Sequence, residues 1–319
     1  MMNLQGRKIS VIGAGNVGAT IAYTLTLSGL AAEIALIDVN MDKAEGEARD
    51  IMQGTAFSPS TRIYSGDYSA LKGSDVVVIS AGVGRKPGQN RIDLCNININ
   101  ILRSVMAETV KYAPDDCIFV VVANPADILT YATLKLSGVA TNRVIGSGTL
   151  LDSSRLRTAI SEKIGVSTHD IHAYVLGEHG ETSMVPWSIC TVGGMDFKTY
   201  CEKNGKAELA SDASLKELEA TMRSGGAEVI KRKGATFYAI AMSVTRICEA
   251  VLRDTKAIIP VAGLLSGEYG IDDVCLSLPY VVGANGLEGQ VNVTMTDDEV
   301  KLLRASGDAL KDVLKELSF

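Results

Sequence analysis

The chain has 319 residues, of which 46% are hydrophobic, 21% charged and 5% aromatic. That is enough for about two domains with a large core, and it excludes a disulfide-held mini-protein as well as disordered, collagen-like and mucin-like chains. The 31 Lys plus Arg against 37 Asp plus Glu leave a net charge of -6, which argues against nucleic acid or an anionic membrane as the main partner.

The N-terminal stretch MMNLQGRKISVIGAG holds an apolar run too short and too broken by glycine for a signal peptide. Residues 8–13 (KISVIG), 33–38 (EIALID), 75–81 (DVVVISA) and 117–123 (CIFVVVA) are dense in Val and Ile and read as buried strands. The last of these is the longest apolar run and only a third of a membrane span. Between the strands, residues 16–28, 41–53 and 92–112 are long enough for crossover helices. Strand, helix and strand in alternation predict an α/β fold, a doubly wound parallel sheet covered on both faces, over residues 1–146.

From residue 147 the texture changes to that of a second, α+β domain running to residue 319. Residues 151–164 read as helix, 171–176 as strand and 183–189 as an irregular or helical segment. A charged helix is expected over 206–232, a more apolar one over 236–253, and strands over 273–282 and 289–295. Thr-Asp-Asp-Glu at 296–299 opens a final amphipathic helix. With no long linker between them, the two domains are expected to interlock. The six cysteines form no CxxC pair and do not cluster with the three histidines. Neither disulfide framework nor metal site is expected, and the thiols read as reduced and cytoplasmic.

Between the first strand and first helix lies Gly13-Ala14-Gly15-Asn16-Val17-Gly18, a GxGxxG. Gly13 permits a tight turn, Gly15 lets backbone approach a pyrophosphate at the helix N-terminus, and Gly18 allows helix to pack on strand. Alone the triplet is weak, but Asp38 follows twenty residues after Gly18, at the end of the second strand. A carboxylate there can accept both ribose hydroxyls and repels a 2'-phosphate, so NAD is preferred over NADP. The loop 81–91 (AGVGRKPGQNR) sets three glycines among three cations, the make-up of a mobile lid or of a solvated basic loop. Asn124-Pro125 ends the fourth strand at the same edge of the sheet. His179, between glycines in Gly177-Glu178-His179-Gly180, suits an imidazole in a cleft. Asp152 and Arg155, three apart, share a face at a helix N-terminus. Such an Asp can fix an imidazole tautomer, and such an Arg can grip a carboxylate with two hydrogen bonds; a capping Asp and a surface Arg are the plainer alternative.

Taken in order, GAGNVG with Asp38, AGVGRKPGQNR, ANPAD (123–127), DSSRLR (152–157), GEHG (177–180) and KGAT (233–236) resemble the L-lactate and malate dehydrogenase superfamily over essentially the whole chain. The resemblance implies an NAD-dependent L-2-hydroxy acid dehydrogenase, with His179 as proton donor and acceptor, Asp152 as its partner, Arg155 as carboxylate anchor and Arg91 as the lid residue that polarises the carbonyl. It implies that Asn124 and Thr236 line substrate and nicotinamide, and that Val17, Asp38, Lys43, Tyr68, Gly82, Val83 and Ser147 contact the cofactor. Arg85 falls where lactate members usually carry an uncharged residue and malate members Arg, so it points to oxaloacetate; Thr236 and the Arg91-Ile-Asp-Leu run resemble the lactate branch. The reading is a lactate dehydrogenase framework with a malate-type selector, beside which stand a dedicated malate dehydrogenase and a non-enzymatic NAD-binding sensor. Arg157 and His172 match positions that bind fructose 1,6-bisphosphate in allosteric bacterial relatives, and the family implies a homotetramer.

Overall fold

The computed structural model describes residues 6–84, 88 and 90–317, the side chain of Arg91 excepted. The first half lays down β1 (Lys8–Ile12), α1 (Asn16–Ser28), β2 (Glu33–Ile37), α2 (Met41–Gly54), β3 (Arg62–Ser65), β4 (Val76–Ile79), α3 (Arg91–Tyr112), β5 (Ile118–Val121), α4 (Ala126–Ser137) and β6 (Val144–Gly146). The second half follows with α5 (Leu150–Ile164), β7 (Ile171–His172), β8 (Thr191–Val192), β9 (Met195–Asp196), α6 (Phe197–Lys203), α7 (Asp212–Lys233), α8 (Tyr238–Leu252), β10 (Ala257–Ser266), β11 (Asp272–Gly283), β12 (Gly286–Gln290) and α9 (Asp297–Lys315).

The main sheet has the order β12-β11-β10-β6-β5-β4-β1-β2-β3. Its six first-half strands are all parallel, and the order reverses between β1 and β4. That reversal opens a crevice at the carboxyl ends of the strands, where ligands bind in folds of this kind. Every residue of β4 (VVVI) and β5 (IFVV) is buried, because helices cover both faces of the sheet. Each such side chain contributes about 1.5–3 kcal/mol on leaving water. The doubly wound sheet is therefore as predicted, and it rests on the Val and Ile runs from which it was read.

The sheet does not stop at β6. A single residue pair, Ala262 with Gly146, joins β10 antiparallel to β6, so the strands of the second half extend the sheet of the first. Sequence reading missed β10 because Pro260 and Gly263 interrupt it. The structure accommodates Pro260 directly opposite Pro279 of β11. Two prolines have no N–H to exchange, so they face each other at a non-hydrogen-bonded pair. The strand expected over 289–295 is instead β12, because the Gly283–Gly286 pair closes the hairpin early and the pairing is spent by Gln290. The strand expected over 171–176 pairs only at Ile171 and His172, with one further bridge from Leu176 to Met184. Also unread were β3, an edge strand with one buried residue, the three-residue β6, and the helices α4 and α6. The charged helix starts at Asp212, capped by the Ser211 hydroxyl, rather than at 206.

A second apolar cluster, with Leu156, Ile160, Ile171, Phe197 and Met222, lies between α5, α6, α7 and the small β7-β8-β9 sheet. All six cysteines are buried thiols. Among the described residues no helix is long and apolar enough to cross a membrane.

Candidate active site

At the turn from β1 into α1, Gly13 has φ +105°, a conformation that side chains avoid. A Cβ on Gly18 would sit 1.7 Å from the carbonyl oxygen of Gly13, so helix and turn can approach only without one. Gly15 differs: nothing lies within 4 Å of where its Cβ would be, and as the residue before α1 it supplies no side-chain cap. The first amides of α1 thus face open space, which is the arrangement that receives an anion.

Asp38, just past β2, accepts the Ala14 amide at 2.6 Å on one oxygen and the Asn40 amide at 2.8 Å on the other. Each oxygen keeps a lone pair for a further donor. Gly13, Gly15, Asp38, Tyr68, Gly82 and Val83 line one cleft of about 460 Å³, with Ile101 and Val105 as apolar wall. Burial, and then the carboxylates of Glu108 and Asp38, push the Tyr68 phenol above its ordinary pKa. Open helix amides, an acid with spare lone pairs and an apolar slot fit a dinucleotide, the acid on a ribose and the amides on phosphate. Val17, Lys43 and Ser147 do not line this cleft. Val17 packs half-buried on the core, Lys43 donates its amide to the Asn40 side chain that caps α2, and the buried Ser147 donates its amide to Val121.

Asn98, absent from the residues singled out by sequence, organises the start of the loop after β4. From the buried stripe of α3 its Oδ1 accepts the Val83 amide at 2.9 Å, while its Nδ2 donates to the carbonyls of Val83 (3.0 Å) and Asn124 (2.7 Å). It ties the start of the loop after β4 to the end of β5. A polar residue in the apolar spacing Cys95, Ile99, Leu102, Met106 was the available signal. Arg85 and the Arg91 side chain lie outside the described residues. Thr236 is half-buried in the link between α7 and α8, and Asn124 is exposed beyond β5.

At the other end, α5 presents Asp152 in its first turn, 6% exposed. One carboxylate oxygen meets His179 Nδ1 at 2.5 Å, and the other accepts from Arg155 at 2.8 Å. Because a carboxylate only accepts, Nδ1 carries the hydrogen and Nε2 is left to take or give a second proton. Burial alone would push Asp152 up. The His179 hydrogen bond and the charges of His179 and Arg155 outweigh it, and the carboxyl stays below its ordinary value. For His179 burial works downward, yet the bond and charge of Asp152, helped by Asp127, hold the ring above its ordinary 6.5 against the opposing Arg155. Arg155 also lies against α7, where a Cβ on Gly225 or Gly226 would come within 3.2–3.3 Å of it.

The structure thus brings His179, Asp152 and Arg155 together, and separately Gly13, Gly15, Asp38, Tyr68, Gly82 and Val83. Arg157 and His172 meet in a third cleft of about 310 Å³ with Arg246, where Arg157 Nε donates to the Thr168 carbonyl at 3.0 Å.

Comparison with known proteins agrees along the whole chain. Residues 7–146 match the lactate/malate dehydrogenase NAD binding domain, and residues 149–318 the lactate/malate dehydrogenase alpha/beta C-terminal domain. The L-lactate dehydrogenase of Acetivibrio thermocellus is 46% identical over 311 residues, 98% of this chain and 97% of its own. L-lactate dehydrogenase 1 of Clostridium acetobutylicum is 47% identical over 311 residues, 97% of this chain and 98% of its own. The ligand-bound crystal structure of the minor L-lactate dehydrogenase of Enterococcus mundtii superposes with a TM-score of 0.93 at 39% identity, covering 98% of this chain and 99% of that one. The doubly wound sheet and the match of both halves are thus those of an NAD-dependent oxidoreductase, and the chain belongs to the lactate/malate dehydrogenase family.

Proposed function

We propose that the protein interconverts a 2-oxo acid and its L-2-hydroxy acid on a lactate dehydrogenase framework, with residues 1–146 holding the cofactor and 147–319 the substrate machinery, in the cytoplasm. The observation that carries this reading is the Arg155-Asp152-His179 chain of contacts in a single partly buried cluster. When bound, NAD supplies or accepts hydride at its nicotinamide ring. His179 holds its transferable proton at Nε2, and gives it to the carbonyl oxygen of the oxo acid or takes it from the hydroxyl of the hydroxy acid. Asp152 fixes the ring's orientation and favours its protonated form. Arg155, now on Asp152, has further donors for the substrate carboxylate, and bidentate pairing orients it. Arg91 opens α3 at the foot of the lid; a cation there stabilises charge on the reacting oxygen. Asn124 and Thr236 complete the pocket.

Arg85 extends the substrate range. An Arg closing on the methyl of pyruvate leaves a desolvated charge unpaired, whereas the second carboxylate of oxaloacetate pairs with it, a difference on the order of 2–5 kcal/mol. The expected result is substantial oxaloacetate reduction with weakened pyruvate reduction, and Arg85→Gln returns the preference to pyruvate. The kcat/KM values for both oxo acids check it; a hundredfold preference of the unaltered protein for pyruvate would sink the Arg85 reading and leave the dehydrogenase reading intact.

The joint cleft of Arg157, His172 and Arg246 supports an anionic effector such as fructose 1,6-bisphosphate, in the homotetramer that the family implies. Substrate saturation curves with and without that compound, repeated on His172→Gln, test it; identical curves exclude the effector.

A further inference from the structure

The loop that carries His179 is fastened at three consecutive amides to three different elements. Gly177 N–H donates to Ser277 O of β11 at 3.0 Å, and Glu178 N–H to the Ser306 hydroxyl of α9 at 2.9 Å. His179 N–H donates to Oδ2 of Asp127, in the first turn of α4, at 2.7 Å. The first two acceptors are neutral. The third is a carboxylate on a residue only 3% exposed.

A neutral acceptor such as Asn or Ser could receive the same amide bond, and burying an ionised carboxylate costs several kcal/mol that a neutral group avoids. The N-terminus of α4 offsets part of that cost. Holding the loop does not call for a charge; the imidazole of the residue whose amide it binds does respond to one, because an opposite charge at about 4–6 Å favours a protonated ring. The geometry points to Asp127 as a positioning residue of the reaction, which pins His179 from its backbone side while its negative charge favours the proton-bearing ring. Asp152 then acts on Nδ1 from one side and Asp127 from the other.

Among the described residues, the charged groups that act on the ring are Asp152 and Arg155 from α5 and Asp127 from α4. Glu178 and Glu181 lie on the loop itself, and β11 brings the Cys275 thiol, which burial and then Asp127 push upward. Ser306 of α9 is uncharged, and the Arg91 side chain lies outside the described residues. Of these, Asp152 and Asp127 raise the ring's proton affinity and Arg155 opposes them.

The inference rests on His179 being the proton donor. Two readouts test it: the pH profile of kcat/KM for oxo-acid reduction, and the NMR titration of the ring carbons in protein labelled at its three histidines, with His179 assigned by His179→Gln. Asp127→Asn keeps an amide acceptor and removes the charge. The descending limb and the ring titration are both expected to move to lower pH by about half a unit or more. Ser306→Ala loosens the same loop without touching charge, and should lower kcat while leaving both midpoints in place. If Asp127→Asn lowers the melting temperature and kcat but leaves the ring titration where it was, Asp127 is merely structural and the inference falls. If the ring titration moves but the wild-type profile shows no matching limb, His179 is not the donor and the functional reading falls with it. Asp127→Ser, a smaller neutral acceptor, makes the same test should the Asn variant not fold.

Discussion

At the residue scale the chemistry is a competition around one imidazole. Burial disfavours its charged form, and Asp152 at 2.5 Å overrides burial, so the ring of His179 titrates above 6.5. With the folded value raised, the pair's stabilisation is complete below about pH 6.5 and is lost as pH rises through that raised value. With His179 as the proposed proton donor and acceptor, reduction needs the protonated ring and oxidation the neutral one. We expect kcat/KM for pyruvate reduction to fall, and that for L-lactate oxidation to rise, across a common midpoint above 6.5; steady-state kinetics in both directions from pH 5 to 10 check it. Asp152→Asn should cost roughly 10²- to 10⁴-fold in kcat, the span of a positioned acid-base group, with NADH affinity in a fluorescence titration unchanged. The Asp152 and His179 pair was legible from residue type and motif. Asp127 and Asn98 were not read, because each acts on a backbone amide outside its own element, Asp127 on position 179 and Asn98 on position 83.

At the scale of elements, glycines decide how closely helices approach what they serve. Gly18 is pressed against the Gly13 carbonyl at a distance no Cβ tolerates. Gly18→Ala should push α1 off β1, destabilise by about 1–3 kcal/mol as overpacking does, and weaken NADH binding; denaturant midpoints and a fluorescence titration report the two effects together. Loss of stability with unaltered NADH affinity would show that the turn does not set the cofactor site. Gly225 and Gly226 pose the reverse trade. Glycine in a helix interior costs about 1 kcal/mol relative to Ala, yet the α7 backbone here lies against Arg155. Gly225→Ala is expected to raise the melting temperature and raise KM for the oxo acid by crowding Arg155; a KM equal to wild type would remove Gly225 from that role.

At the scale of the molecule, the two halves share one sheet. The join is narrow, Ala262 of β10 beside Gly146 of β6, and a Cβ on Gly146 would lie 2.4 Å from the Thr130 hydroxyl and 2.9 Å from the Ala262 methyl. Strands on both sides of that join belong to the same apolar cluster, from Ile9 through Val261 to Leu287. We therefore expect one cooperative calorimetric transition rather than two, shifted down as a unit in Gly146→Ala. Two separated transitions would mean that the halves fold independently across the join.

What the sequence determined by itself follows from short-range physics. Runs of Val and Ile require burial on both faces and so made the parallel sheet legible. GxGxxG with Asp38 announced the phosphate turn, and the Asp152 to Arg155 spacing announced one helix face. The NAD-type turn follows from those residues, and the class of chemistry from the family that the motifs together resemble. Tertiary structure alone decided the rest: that β10, interrupted by Pro260 and Gly263, is a strand; that its pairing fuses two sheets into one; and that the His179 loop hangs from β11, α9 and α4. Those outcomes depend on which backbone groups find partners more than a hundred residues away, or across a fold, and no local pattern records a hydrogen bond's distant acceptor.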